Sequence, residues 1–163
     1  MSNRMLPDSS AAILFDFDGT LVHQEIDFAL MRARVLEIAR AYQAPEELLQ
    51  SRYMLELIER VTPTLGDKGV RFARDAQRAI TVIELQAAEN ARSFAGVPEL
   101  LEDLHERGYR LAIITRNCSA AVERVLERFP IRYDALLTRD DVPAVKPNPL
   151  HLLPDLCSEQ AHI

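Results

Sequence analysis

The sequence predicts an α/β protein in which a parallel sheet is interrupted, after its first strand, by a block of helices. Three observations carry this expectation. Ile13-Leu14-Phe15, Leu111-Ala112-Ile113-Ile114 and Ala135-Leu136-Leu137 are short apolar runs with the length and composition of buried strands. From residue 97 onward such runs alternate with segments of helical period, which implies parallel strands joined by right-handed crossovers. Between the first and second runs, three segments of helical period follow one another with no strand among them.

Met1 to Ser10 reads as a lead-in that ends where the first strand begins. After Leu21, Phe28, Met31, Val35, Ile38 and Tyr42 recur at three- and four-residue steps and mark an amphipathic helix. Ala44-Pro45-Glu46-Glu47 starts another, with proline at the first helical position and acids at the positive end of the dipole. Met54, Leu57, Ile58 and Val61 form its apolar stripe. A break at Thr62 to Gly69 precedes a long third helix marked by Val70, Ala73, Ile80, Ile83 and Ala87. Val97-Pro98-Glu99 opens a helix that Gly108 ends, and Val122, Val125, Leu126 and Phe129 trace the helix after the second strand. The domain expectation is therefore a discontinuous α/β core, 1–22 with 95–163, and a helical insertion at 23–94.

The chain has 163 residues, 48% of them apolar, which is enough to bury a core. A net charge of −6, with no run of lysines or arginines, supplies no electrostatic footprint for nucleic acid or an anionic membrane. No apolar segment approaches a membrane span and Met1 to Ser10 lacks a secretory signal, so a cytoplasmic location is expected. Cys118 and Cys157 lack Cys-x-x-Cys spacing, and His23, His105 and His151 show no ligand spacing, so none enters a metal set.

The chemistry gathers where the strands end. The first run stops at Asp16-Phe17-Asp18-Gly19-Thr20, and continued strand geometry would start Asp16 and Asp18 on the same side. Like charges about 4 Å apart repel by roughly 4 kcal/mol at an effective dielectric of 20, so the pair calls for a cation, a shared proton or solvent. Ligands of an open α/β sheet bind beyond the carboxyl ends of its strands, which brings Thr115 and the loop holding Lys146 to the same place. Thr115 and the backbone N–H groups of the Asp16 to Gly19 turn suit phosphoryl oxygens, and Lys146 supplies a point charge against a dianion. Arg116 and Asn117 are candidate substrate contacts with surface roles as the alternative. Taken alone, Thr115 reads equally as a helix N-cap, Lys146 as a solvated charge and Asp18-Gly19 as a tight turn.

Phe15-Asp16-Phe17-Asp18-Gly19-Thr20-Leu21, Thr115 after its apolar strand, Lys146-Pro147, and Gly96-Val97-Pro98-Glu99-Leu100-Leu101 together resemble the haloacid dehalogenase-like (HAD) hydrolase superfamily. Within it they are similar to the phosphatases with a helical cap, such as phosphoglycolate phosphatase. The resemblance implies a Rossmann-like core and two-step phosphoryl transfer from a small phosphorylated metabolite. Asp16 would be the nucleophile that forms an aspartyl-phosphate, and Asp18 the acid–base. Mg²⁺ would be held by the Asp16 carboxylate and the Asp18 backbone carbonyl, with Thr115 and Lys146 on the phosphoryl oxygens and the cap closing over the site.

The family's fourth motif, a Gly-Asp with a further acid after the next strand, is absent from the 17 residues beyond Lys146. Asp155 and Glu159 fall where a helix interrupted by Pro154 is expected. The expectation is a truncated form without the last core strands, with the Asp16 strand at a sheet edge, a tendency to self-associate through that edge, and reduced or no activity. A phosphomutase shares the same intermediate. An EF-hand places Asp16, Asp18, Gly19, Leu21 and Glu25 at loop positions three, five, six, eight and twelve, but has Leu14 at position one and needs a preceding helix. A phosphoacceptor signalling module needs no helical insertion.

Overall fold

The computed structural model describes residues 11–142, 145 and 146. Five strands and five α-helices alternate with short 3₁₀ turns: β1 (Ala12–Asp16), β2 (Val22–His23), α1 (Phe28–Ala41), α2 (Met54–Val61), α3 (Gly69–Glu89), β3 (Arg92–Ser93), α4 (Val97–Glu106), β4 (Arg110–Ile114), α5 (Ser119–Arg128) and β5 (Ala135–Leu137). Contacts divide the chain into two compact units, residues 1–24 with 88–163 and residues 25–87.

The first unit holds a parallel three-stranded sheet in the order β1-β4-β5. Its register sets Asp16 beside Ile114, and Ile114 beside Leu137, so all three strands end at one level. The central strand β4 buries Leu111, Ile113 and Ile114. Among the described residues β1 has a neighbour on one side only, and this changes its expected burial. Leu14 is 46% exposed, and Ile13 and Phe15 are half-buried rather than enclosed. The apolar anchor of this segment is instead Phe17, fully buried just past the strand. Gly108 takes φ +89° after α4, the left-handed conformation that lets the chain turn into β4 without a Cβ clash.

β2 and β3 form a two-residue antiparallel ribbon, with Val22 opposite Ser93 and His23 opposite Arg92. The sequence expectation of an insertion at 23–94 includes part of this ribbon; by contacts it belongs with the sheet unit. Arg128 of α5 secures the end of α3 there, donating to the carbonyls of Ala88, Glu89 and Ala91. A guanidinium suits those unsatisfied carbonyls and the negative end of the helix.

The unit at 25–87 has its own core. Met31, Val35 and Ala39 of α1 pack with Met54, Leu57, Ile58 and Val61 of α2 and Phe72, Ala76, Ile80 and Ile83 of α3. Each large side chain so enclosed contributes about 1.5–3 kcal/mol relative to exposure. Asp27 caps α1 by accepting the Leu30 N–H at 2.8 Å, which places Phe28 in the first turn, 69% exposed and outside the apolar stripe expected of it. The helix expected to run from Ala44-Pro45 to Val61 is divided into a 3₁₀ turn at Glu46–Leu48 and α2. Arg32 donates to the carbonyls of Leu49 and Ser51, and the Ser51 hydroxyl pairs with the backbone of Tyr53. Side chains thereby take up the groups an uninterrupted helix would have used. Tyr42 donates to Asp75 at 2.6 Å; that bond holds the Asp75 carboxyl below its ordinary range and raises the Tyr42 phenol. Among the described residues no helix is long and apolar enough to cross a membrane.

Candidate active site

The end of β1 is organised by one carbonyl. Phe17 accepts the N–H groups of Thr20, Leu21 and Val22 at 3.3, 3.0 and 3.1 Å, while Gly19 donates to the Val22 carbonyl at 2.8 Å. Gly19 has φ +80°, which glycine adopts without strain. The strand stops at Asp16, so strand alternation does not extend to Asp18 as the sequence pattern suggested. The Gly19 N–H is spent inside the turn and is not the phosphate donor that pattern offered. A strand, rather than the helix an EF-hand needs, precedes the loop.

The two carboxylates have different partners. Lys146 donates from Nζ to Asp16 Oδ1 and, at 2.9 Å, to the Ile114 carbonyl at the end of β4. This ion pair is partly open to solvent, the lysine side chain being 33% and the aspartate 47% exposed. Asp18 instead receives three neutral donors. The Thr115 hydroxyl reaches Oδ2 at 2.8 Å, Asn117 Nδ2 reaches Oδ1 at 3.1 Å, and Gln24 Nε2 also donates to Oδ1. Bonds to an ionised acceptor are each worth about 1.5–3 kcal/mol net. The repulsion between two acids is thus met by a cation on one and neutral dipoles on the other.

Thr115 and Asn117 hold Asp18 rigidly because they are themselves fixed. Both are buried; the Asn117 N–H donates to the Thr115 hydroxyl at 3.0 Å, and Asn117 Oδ1 accepts the Cys118 N–H at 3.0 Å. Asn117 is therefore part of the interior rather than a surface residue. Arg116 lies between them, half-buried, with its carbonyl accepting from Arg139. The turn after β5 supports the same wall. Thr138 and Asp141 form a reciprocal capping box, the Thr138 hydroxyl meets that of Ser119 at 2.7 Å, and Asp140 accepts the Ser119 N–H at the start of α5.

The structure thus brings Asp16, Asp18, Thr115, Asn117 and Lys146 together. Gln24 and the Thr138-to-Asp141 cap were missed in the sequence. Gln24 follows a two-residue strand with no periodicity to mark it, whereas Thr-x-x-Asp at Thr138 to Asp141 is a visible capping pattern. Pro147, Pro154, Asp155 and Glu159 lie outside the described residues.

A family model described as haloacid dehalogenase-like hydrolase matches residues 13–160. The chain belongs to this family. Among curated relatives of this HAD chain, a phosphoglycolate phosphatase of Haemophilus influenzae is 32% identical over 154 residues, covering 85% of the chain and 66% of the relative. One from Cereibacter sphaeroides is 31% identical, covering 86% and 67%. The pyrophosphatase PpaX of Halalkalibacterium halodurans is 29% identical, covering 84% and 63%. The HAD chain therefore spans about two thirds of the length of these relatives. Among solved structures, a hydrolase from Pseudomonas syringae superposes with a TM-score of 0.57 at 20% identity, covering 88% of the chain and 68% of that structure. CbbY from Rhodobacter sphaeroides, in complex with phosphate, gives 0.51 at 23%, covering 86% and 68%. Both share the α/β fold seen here.

Proposed function

We propose that the protein is a Mg²⁺-dependent phosphatase of small phosphorylated metabolites, of the phosphoglycolate phosphatase type, acting through an aspartyl-phosphate on Asp16. The observation that supports this most is the unequal treatment of the two acids. Asp16 is half exposed at a strand end beside an ammonium group, as a nucleophile approached by an anionic ester requires. Asp18 is immobilised by three donors two residues away, the position for an acid–base partner.

In the first step Asp16 attacks phosphorus, the P–O bond to the leaving group breaks, and Asp18 delivers a proton to that oxygen. In the second, water attacks phosphorus, the bond to Asp16 breaks, and Asp18 accepts the proton. Lys146 lies against Asp16 and would place its charge beside the equatorial oxygens. Thr115 would contact phosphate only by exchanging its bond to Asp18, so its share in phosphate binding is smaller than that of Lys146. Arg116, with Asn117 taken up by Asp18, is the remaining candidate for the substrate's organic portion.

The donor set fits the metal in part. Among the described residues no three His, Cys, Asp or Glu side chains converge. A hard ion that keeps several waters nevertheless needs only one or two protein oxygens, and the exposed Asp16 carboxylate with the Asp18 backbone carbonyl would supply them. Bound there, Mg²⁺ would reduce the repulsion between an anionic nucleophile and an anionic ester. With these two protein oxygens alone, weak metal affinity and slow turnover are expected.

The test is phosphate release from phosphoglycolate and from an aryl phosphate, with and without MgCl₂. Activity above background that Asp16→Asn lowers by about a thousandfold supports the reading, since loss of the nucleophile removes the covalent route. Undiminished activity in Asp16→Asn overturns it.

A further inference from the structure

Of the three partners of Asp18 among the described residues, Gln24 is the one whose hydrogen bonding is incomplete. Its Nε2 donates to Asp18 Oδ1, while its Oε1 is buried and has no hydrogen-bond partner among the described residues. A carboxylate only accepts, so the amide is obliged to present its NH₂ end to Asp18 and to direct its carbonyl oxygen elsewhere. The other two partners show no such remainder. The Thr115 hydroxyl both donates to Asp18 and accepts from Asn117, and Asn117 Oδ1 accepts from Cys118. A buried carbonyl without a donor has given up its bond to water and gained none in return, which leaves Oε1 in want of a donor.

The donor it wants is set by the chemistry next to it. This step rests on the reading of Asp18 as the acid–base. Held by three donors, Asp18 is fixed in place to take a proton in the second half of the reaction. The reactant in that half is water, which carries two protons. One passes to Asp18 as the oxygen bonds to phosphorus and the P–O bond to Asp16 breaks, its electron pair returning to the Asp16 carboxylate. The second proton stays on the attacking oxygen and needs an acceptor throughout. The leaving-group oxygen of the first half, bonded to carbon and phosphorus, has no proton to offer. Because Nε2 and Oε1 are two ends of one amide, a water admitted to Oε1 would lie beside the Asp18 carboxylate that Nε2 holds.

We infer that Gln24 is a water-positioning residue: its buried Oε1 accepts a hydrogen bond from the water that attacks the Asp16 phosphoryl group, while its Nε2 steadies the base that deprotonates that water. Gln24 would then act in dephosphorylation of the protein and not in its phosphorylation.

The experiment separates the halves. Protein is briefly exposed to ³²P-labelled phosphoglycolate with Mg²⁺, chased with unlabelled substrate and quenched in acid, and loss of label is followed alongside steady-state kinetics. In Gln24→Met the expected result is about a ten- to hundredfold slower loss of label, with kcat and KM falling together and kcat/KM within about twofold of the parent. Gln24→Glu keeps an oxygen acceptor and loses label faster than Gln24→Met. Unchanged decay with a lowered kcat/KM places Gln24 in the first half and overturns the inference, as does no change in either quantity. If the thermal midpoint shows Gln24→Met unfolded, Gln24→Glu and Gln24→Asn carry the comparison; Gln24→Asn, one methylene shorter, withdraws the acceptor and is expected to decay slowly. Absence of label in the parent, or its persistence in Asp16→Asn, overturns the Asp16 reading and this inference with it. Normal labelling with Gln24-independent decay overturns this inference alone.

Discussion

Strand β4 carries a charged cluster at each end, and the two are built in opposite ways. At its amino end Asp134 accepts the Leu111 N–H at 2.8 Å and an Arg110 guanidinium bond at 3.0 Å, with His105 at 4.0 Å. That carboxylate is consumed in joining the start of β5 to the start of β4. At the carboxyl end Asp16 has one ammonium partner and remains half exposed, and Asp18 is bound to side chains. One end closes an acid into the backbone; the other presents an acid to whatever arrives. A shared strand therefore does not make two acids equivalent, and the partners decide.

The comparison breaks most sharply at Lys146. Lys146→Met is expected to lower kcat/KM for a phosphate monoester about a hundredfold, roughly 2.7 kcal/mol on the barrier, with a thermal midpoint shift of a few degrees at most. Asp134→Ala should do the reverse. Loss of the acceptor for the N–H of buried Leu111 costs about 1 kcal/mol of stability in denaturant titration, with kcat/KM within about twofold of the parent. A smaller effect is the pH response. Burial raises the Asp134 carboxyl, but the Leu111 N–H and Arg110 outweigh it and the group lies below its ordinary range. With the folded value depressed, the unfolded chain binds more protons at acid pH. The contribution is whole above the unfolded value, near 4, and is lost as pH falls through the folded one. Asp134→Asn should flatten that limb of the stability curve, and an unchanged limb would contradict the assignment. The smallest effect is Arg110→Gln. Its side chain is 71% exposed, so a change of about 0.5 kcal/mol or less is expected from double-mutant analysis with Asp134.

The legible parts of the molecule were those in which one residue does one thing locally. Apolar runs located β1, β4 and β5, and three-four spacing located α1, α3, α4 and α5. Asp16, Asp18, Thr115 and Lys146 were legible as a group because a parallel sheet aligns its strand ends. Which donor serves which acid was not legible, since that depends on contacts between residues such as Asp18 and Asn117 that are remote in sequence. Gln24 was missed for that reason. The division of the expected second helix was hidden likewise, because Arg32 reaches from α1 to the Leu49 and Ser51 carbonyls. Among the described residues the Asp16 strand has the edge position expected of it, and its partial exposure follows from that position rather than from its apolar composition.

The pairing of β1 with β4 has a consequence for how the chain comes to be folded. Ala12 finds its partner in Arg110, so everything between them must be synthesised before the first strand has a place to go. Helices α1 to α3 draw their core from one continuous segment, and local contacts of that kind form quickly. The helical segment is therefore expected to gain protection before the sheet when amide exchange is followed during refolding. Until β4 is in place, Ile13, Leu14 and Phe15 lack the strand they pair with, and an apolar run so exposed is the kind of segment that makes a folding intermediate prone to aggregate.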